Sequence, residues 1–195
     1  SDTVYAALAE ERLTGRTEAE VAWWIERTFR EHGADALAFA SIVAAGTNGA
    51  SPHASPGKSV IEEGTLVTVD MGCMVDGYCS DCTRTFATGQ LPDELTRAYE
   101  VCLDAQLSGL AAVQPGASGP GVDAAARDKI EMAGFGEAFG HGLGHGVGLL
   151  VHEDPRLAQE SRSILAEGNV VTVEPGIYLS GLGGIRIEDL VVVRE

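Results

Sequence analysis

Hydrophobic residues recur at helical spacing near the start of the chain. Residues 17–20, Thr-Glu-Ala-Glu, match the capping box with which many helices begin. Val21, Ile25 and Phe29 then follow at intervals of four residues, as far as Gly33. This pattern predicts an amphipathic helix that begins after Thr17 and ends before Gly33.

Two further helical patterns lie in the second half of the chain. Apolar stripes are formed by Leu95, Tyr99, Cys102 and Leu110, and by Val122, Ala126 and Ile130. Gly134 follows the second stripe, as glycine often follows the last turn of a helix. We expect two helices here that cover one face of a sheet. Residues 114–121 form a turn-rich linker, which does not indicate a second domain.

A strand-like segment occurs twice. Residues 63–72, EGTLVTVDMG, align with residues 167–176, EGNVVTVEPG, at an offset of 104 residues. Each copy runs from a glycine turn through a β-branched stretch to a carboxylate, Asp70 or Glu174. A second predicted strand with its own carboxylate, Asp81 or Glu188, follows each copy. The repeat predicts an α+β fold of two related halves that face each other.

The alternation of side chains along a strand decides which of these residues can meet. Residues 78–86 are interpreted as one strand, in which Asp81, Thr83 and Thr85 share a face and Cys82 lies on the other. A carboxylate among apolar neighbours is costly to bury unless it is paired, protonated or bound to a metal. Two matched pairs of carboxylates therefore indicate cations. The alternative is that these acids lie on exposed edges or pair with arginines, namely Arg84 and Arg186.

Composition narrows the classes of partner. Acidic residues outnumber basic ones by 29 to 13, and the formal net charge of -16 would repel nucleic acids and anionic membrane surfaces. The chain has no apolar run long enough to span a bilayer and no signal-peptide pattern at its start. We therefore expect no nucleic-acid or membrane partner and a cytoplasmic location.

The cysteines do not indicate a disulfide framework. The four of them are few and clustered, and reduced thiols are the expectation. Cys79 and Cys82 match a C-x-x-C pattern, which leaves a zinc-knuckle or redox interpretation open. A strand would place two residues at this spacing on opposite faces, so we consider that interpretation the weaker one.

A glycine-rich segment carries three histidines, His141, His145 and His152. The first two have the spacing of a helical zinc motif, but the glutamate of H-E-x-x-H is missing and alternate glycines disfavour a helix. Such glycines let the backbone pass close to a ligand, which leaves the histidines free to act as metal ligand, proton carrier and substrate donor. His53 lies upstream, in a predicted loop.

The four carboxylates together with one imidazole form a ligand set that suits two divalent ions, such as Mn²⁺, Co²⁺, Fe²⁺ or Zn²⁺.

With these motifs the sequence resembles the pita-bread metallopeptidases, the superfamily of methionine aminopeptidases, aminopeptidase P, prolidase and creatinase. The resemblance covers nearly the whole chain. It implies the pita-bread fold, with two pseudo-symmetric halves of helices packed on a curved, mainly antiparallel sheet. It also implies two divalent metal ions, with Mn²⁺ as our first choice, held by five ligands: Asp70, Asp81, His145, Glu174 and Glu188. In such enzymes Asp81 and Glu188 would bridge both metals.

Local details resemble the proline-directed branch, aminopeptidase P and prolidase. These details are residues 77–86, His141 ahead of His145, and residues 185–189, where Asp189 stands in place of the histidine typical of methionine aminopeptidases. The resemblance implies hydrolysis of the bond between an N-terminal residue and a following proline in a peptide or dipeptide. It further implies catalytic roles for His152, Glu174 and His53, and substrate contacts from His53, His141, His152 and Arg186, with Arg186 also orienting Glu188.

Other interpretations stay open. The chain could act as a methionine aminopeptidase, or as a non-catalytic or creatinase-like member of the same fold. Aminopeptidase and dipeptidase activity are not separated by the sequence. We expect residues 1–195 to form a single catalytic domain that lacks the N-terminal domain normally preceding it in these enzymes, and a homodimer is possible.

Overall fold

A computed structural model describes residues 1–194. The first half contains two helices and six strands: α1 Asp2–Ala9, α2 Glu18–Glu31, β1 Ala36–Leu37, β2 Ile42–Ala45, β3 Leu66–Asp70, β4 Cys73–Val75, β5 Tyr78–Cys79 and β6 Thr83–Ala87. The second half follows with α3 Asp93–Ala112, α4 Gly119–Met132, β7 Gly144–Gly146, β8 Glu153–Leu157, β9 Val170–Val173, β10 Gly176–Leu179, β11 Gly183–Arg186 and β12 Asp189–Val192. Every strand pairing among these elements is antiparallel. The expected α+β architecture is confirmed.

The predicted helices are confirmed. The Thr17 hydroxyl accepts from the Glu20 backbone N–H and the Glu20 carboxylate accepts from the Thr17 N–H, so the capping box is complete. Gly33 and Gly134 follow α2 and α4 with φ of 87° and 86°, in the left-handed region that favours glycine. The buried face of α2 packs into a core with β2 and β3, and α3 and α4 pack into a second core with β9 to β11.

The repeat corresponds to two halves with the same strand order. β3 begins after Gly64 and β9 after Gly168, and both glycines have positive φ. In each half the first strand pairs with the strand that follows a short hairpin: β3 with β6 across the hairpin β4–β5, and β9 with β12 across the hairpin β10–β11. The two halves therefore deliver their acidic residues in the same topological positions.

The prediction of one continuous strand over residues 78–86 is wrong. Residues 80–82 are irregular, because Tyr78 and Cys79 pair with β4 whereas residues 83–87 pair with β3. The Cys82 carbonyl accepts from the Met71 N–H and from the Tyr5 hydroxyl, so the change of partner strand is hydrogen-bonded. Asp81 thus lies in a break between strands, and Glu188 occupies the matching break between β11 and β12.

The structure also bears on the cysteines and on membrane insertion. All four cysteines are free thiols. Within residues 1–194, the one cluster of potential metal ligands contains carboxylates and no thiol. No helix in this part of the chain combines the length and apolar character required to cross a membrane.

Candidate metal centre

Three acidic side chains from distant parts of the chain meet beside a cavity. Asp70 ends β3, Asp81 lies in the break before β6, and Glu188 lies in the break before β12. Each offers one carboxylate oxygen, and these oxygens lie within 4.8 Å of one another. All three side chains are buried, with Glu188 only 1% exposed. Carboxylates held this close repel one another unless a proton or a metal ion separates them.

Two oxygens of this cluster lack hydrogen-bond partners among the described residues. They are Asp70 Oδ1 and Glu188 Oε1. The other oxygen of each carboxylate is satisfied, because Arg186 Nη2 donates to Asp70 Oδ2 at 2.7 Å and Thr83 Oγ1 donates to Glu188 Oε2 at 2.6 Å. A buried acceptor without a donor costs about 1–3 kcal/mol, and more when it is charged. A divalent cation would supply the missing partner, so these residues fit a metal.

His145 and Glu174 form the other side of the cluster. His145 Nε2 lies 3.1 Å from Glu174 Oε1 and 3.7 Å from Asp81 Oδ2. The second ring nitrogen, Nδ1, lies 3.1 Å from the Gly146 carbonyl and must donate to it. His145 Nε2 therefore points at two carboxylates, and a proton or a metal ion has to lie between them. A metal ion here would have mixed nitrogen and oxygen ligands, which first-row divalent ions accept.

Burial is the largest influence on the pKa values of the carboxylates. Burial, reinforced by the charges of Asp70 and Glu174, raises the pKa of Asp81 to about 9. Burial also raises the pKa values of Asp70 and Glu188. For Glu174, burial acts in the same direction, but the hydrogen bond and charge of His145, together with the charges of His141 and Arg186, outweigh it and leave the pKa below its ordinary value. A divalent ion would reverse this balance, because it favours ionised carboxylates.

Arg186 is a buried cation of the site. Its guanidinium donates to four oxygens: Asp70 Oδ2 at 2.7 Å, Tyr178 Oη at 2.9 Å, Thr83 Oγ1 at 3.2 Å and the Pro52 carbonyl at 3.3 Å. The expected contact between Arg186 and Glu188 is indirect, since the Thr83 hydroxyl accepts from Arg186 and donates to Glu188. Asp70 is the carboxylate that Arg186 pairs with directly. These hydrogen bonds fix the orientation of Asp70 directly and that of Glu188 through Thr83.

Tyr178 connects Arg186 to His141, and sequence reasoning missed it. His141 Nδ1 donates to the Gly142 carbonyl at 2.8 Å, so its Nε2 accepts from the Tyr178 hydroxyl at 2.9 Å. Burial lowers the pKa of His141, which favours this neutral form. In the internal repeat, Tyr178 aligns with Met74. The repeat therefore offered no polar counterpart that could have indicated Tyr178.

A cavity of about 430 Å³ opens over the cluster. Its lining includes four of the predicted metal ligands, Asp70, Asp81, His145 and Glu174, and all four predicted substrate contacts, His53, His141, His152 and Arg186. The His152 ring lies 4.3 Å from the His145 ring between centroids, at an angle of 68°. Burial, together with the nearby cationic groups His145 and Arg156, lowers the pKa of His152. The structure thus brings every predicted site residue to one place; their chemical roles stay predictions.

Arg156 is a second cavity residue that the sequence analysis missed. It lines the cavity and is exposed, and no carboxylate of the described chain forms an ion pair with it. Arg156 lies directly opposite His145 in the register between β7 and β8. Opposed residues of antiparallel strands point to the same face. Only the strand register brings this cation to the site, so no local sequence motif could have indicated it.

A buried ion pair on α4 anchors the backbone of residues 139–143, the segment that carries His141. Asp123 and Arg127, four residues apart on α4, are joined by two contacts of 2.7 and 2.9 Å. Arg127 donates to the carbonyls of Phe139 and His141, and Asp123 accepts from the Leu143 N–H. Alternate backbone groups of the segment are therefore bound by one charged pair. This anchoring positions a glycine-rich stretch that has few side chains to hold it.

Comparison with known proteins decides the family. The model of the family described as metallopeptidase family M24 matches residues 1–195. The chain belongs to metallopeptidase family M24. A crystal structure of a dipeptidase from Pyrococcus horikoshii superposes on all of this M24 chain with a TM-score of 0.97 and 46% identity, and this alignment covers 54% of that protein. This likeness confirms the pita-bread fold.

Two further comparisons show the same relationship. An X-Pro aminopeptidase structure from Thermotoga maritima matches all of the M24 chain with a TM-score of 0.94 and 41% identity, over 55% of its own length. A Xaa-Pro dipeptidase from Pyrococcus furiosus is 42% identical over 195 residues, which are 100% of this chain and 56% of that protein. The M24 chain therefore spans about half the length of the curated relatives it matches.

Proposed function

We propose that this M24 chain carries the active site of a dinuclear metal peptidase that hydrolyses the bond between an N-terminal residue and a following proline. The observation that carries the proposal is the convergence of carboxylates and an imidazole beside one cavity, with two buried carboxylate oxygens that lack partners. Its relatives include proteins named Xaa-Pro dipeptidase and X-Pro aminopeptidase, which supports the proline-directed activity.

Two divalent ions are proposed for the cluster. The residues that would hold them are Asp70, Asp81, His145, Glu174 and Glu188. Mn²⁺ is our first choice because oxygen ligands predominate, with Co²⁺, Zn²⁺ and Fe²⁺ as alternatives. When bound, such a pair lowers the pKa of a water molecule toward neutrality and polarises a carbonyl oxygen.

Glu174 is the proposed proton carrier. Its Oε1 accepts from the Thr172 hydroxyl at 2.9 Å and faces His145, which fixes the carboxylate at the cavity wall. In this position Glu174 can take a proton from the attacking water and pass it to the departing proline nitrogen. The transfer is needed because an amide nitrogen leaves poorly without a proton.

His152 and His53 are the proposed donors to the substrate. A lowered pKa keeps His152 neutral at pH 7, so its imidazole retains one N–H that can donate to the carbonyl oxygen as negative charge develops there. His53 lies on the separate segment that also carries Pro52, and both residues line the cavity. Proline has no N–H to donate, so selectivity must come from ring shape and from donors aimed at substrate oxygens.

The substrate class can be tested with Met-Pro, Met-Pro-Ala and Met-Ala-Ala in the presence of Mn²⁺. We expect a higher kcat/KM for the proline substrates, by roughly 10- to 200-fold, since the shape of a small apolar group is worth about 1–3 kcal/mol. Chelator should abolish all cleavage. Faster release of methionine from Met-Ala-Ala than from both proline substrates would instead assign methionine aminopeptidase activity, and chelator-insensitive turnover would favour a creatinase-like mechanism.

We propose dipeptides, in preference to longer peptides, as the substrates, and the proposal rests on Arg156. Two arginines line the cavity, Arg156 and Arg186. Arg186 is paired with Asp70, whereas Arg156 has no acidic partner in the described chain. A guanidinium at a cavity wall is suited to bidentate contact with a carboxylate. The free carboxylate of a Xaa-Pro dipeptide ends one residue beyond the scissile bond. We propose that Arg156 binds it.

Arg156→Ala is therefore expected to raise KM for Met-Pro by about tenfold or more, since hydrogen bonds to charged groups contribute about 1.5–3 kcal/mol. The kcat/KM for the amidated substrate Met-Pro-NH₂, which lacks the carboxylate, should change little. Steady-state kinetics on both substrates checks this, with Arg162→Ala as a control outside the cavity lining. An equal loss on the two substrates would show that Arg156 does not recognise the carboxylate.

A further inference from the structure

A buried carboxylate outside the metal cluster closes the segment that carries His53. Glu18 is the first residue of α2 and is 0% exposed. No cationic side chain of the described chain forms an ion pair with it. A buried, unpaired carboxylate requires several hydrogen-bond donors to compensate for lost hydration. The groups that donate to the Glu18 carboxylate therefore identify the segment that it holds in place.

Within residues 1–194, all donors to the Glu18 carboxylate belong to the segment 45–57. The backbone N–H of Ala45 donates to Oε1 at 2.8 Å, and that of Gly57 donates to Oε2, also at 2.8 Å. The side-chain amide of Asn48 lies 3.0 Å from both oxygens. One carboxylate thus joins the two ends of the segment and a side chain within it. The arrangement resembles a clasp across a loop.

The clasped segment reaches the proposed active site. Pro52 and His53 line the cavity, and the Pro52 carbonyl accepts from Arg186 at 3.3 Å. Gly49 packs against the backbone of Gly184, where a β-carbon on Gly49 would lie 3.2 Å from the Gly184 nitrogen. The His53 side chain makes no hydrogen bond within the described chain and is exposed to the cavity. Its position is consequently set by the backbone that carries it.

We infer that Glu18 is a positioning residue for His53: its carboxylate fixes the ends of the segment 45–57 and thereby the reach of His53 into the cavity. The inference rests on the proposed function, in which His53 contacts the substrate. A carboxylate suits this place because both of its oxygens accept. A glutamine would turn a donor toward one of the backbone N–H groups and break the clasp on that side.

Glu20 provides a matched control, because it lies in the same first turn of α2 and also accepts hydrogen bonds there. Glu20→Gln removes one negative charge from the helix N-terminus, as Glu18→Gln does, but Glu20 does not contact the segment 45–57. Any effect that arises from helix charge alone should be similar in the two variants. An effect of the clasp should appear only in Glu18→Gln.

The experiment compares Glu18→Gln, Glu20→Gln and the unsubstituted protein, each loaded with Mn²⁺. We expect Glu18→Gln to lower kcat/KM for Met-Pro about tenfold or more, the scale at which supporting residues act, with metal content unchanged. Amides of residues 46–57 should exchange hydrogen faster in Glu18→Gln and at the original rate in Glu20→Gln. In a His53→Ala background, Glu18→Gln should have less than about a twofold further effect.

The outcomes separate the two proposals. If the unsubstituted protein does not cleave Met-Pro, the proposed function fails, and hydrogen exchange still decides whether Glu18 fixes the segment. If the protein is active and Glu18→Gln loses as much in the His53→Ala background as alone, Glu18 does not act through His53. Asn48→Ala, which removes one donor and leaves the carboxylate intact, should change both readouts in the same direction by less; unchanged exchange in it and in Glu18→Gln would overturn the clasp.

Discussion

Asp81→Asn is expected to lower kcat/KM for a Xaa-Pro dipeptide by at least about a thousandfold. Asp81 contributes an oxygen to the cluster with Asp70 and Glu188, and its Oδ2 lies 3.7 Å from His145 Nε2, so its charge would serve the whole metal centre. Loss of a metal-centred transition-state contribution of about 4 kcal/mol corresponds to this factor. Elemental analysis should find about two Mn²⁺ ions in the unsubstituted protein and fewer in Asp81→Asn, if two ions bind as proposed.

Cys82→Ala is the adjacent comparison. The Cys82 thiol is buried, faces the backbone carbonyl of Glu188 at 3.4 Å and does not line the cavity. We expect this variant to keep its metal and to retain activity within about tenfold, since only an outer support of the ligands changes. Metal loss on substitution of Cys79 or Cys82, with normal binding in Asp81→Asn, would restore the thiol interpretation of the C-x-x-C pattern. One metal ion at saturation would contradict the dinuclear centre.

His152→Ala is expected to lower kcat about 100-fold or more while metal content and KM change little. Removal of one donor that stabilises a developing oxyanion typically has an effect of this size. The His152 ring packs against the His145 ring and lines the cavity, yet it does not belong to the carboxylate cluster. A kcat effect without metal loss is the signature of an interaction made mainly in the transition state.

His32→Ala serves as the control for this substitution. His32 follows α2 on the surface, where its Nδ1 donates to the Thr28 carbonyl. It should retain the original kcat. A drop of metal content in His152→Ala would make His152 a ligand, and a rise in KM alone would make it a ground-state substrate contact.

The sequence alone determined the features that depend on local pattern. The capping box of Thr17 and Glu20, the apolar stripes and the glycines after each helix set the helices, because these signals act within one or two turns. The repeat of residues 63–72 and 167–176 set the two matched strands, since β-branched runs between a glycine turn and a carboxylate are readable without partners. The residue types at the candidate metal centre were likewise visible in these segments.

Only the tertiary structure decided what depends on pairing between distant strands. The break at Asp81 arises because residues 78–79 and 83–87 join different partner strands, which no local pattern encodes. The place of Arg156 opposite His145 depends on the register between β7 and β8. The pairing of Arg186 with Asp70 and the clasp of Glu18 on the segment 45–57 join residues far apart in the chain. A buried charge requires hydrogen-bond donors or a counter-charge, and these come from whichever segments the fold places beside it. The spacing of residues in the sequence therefore does not predict such contacts.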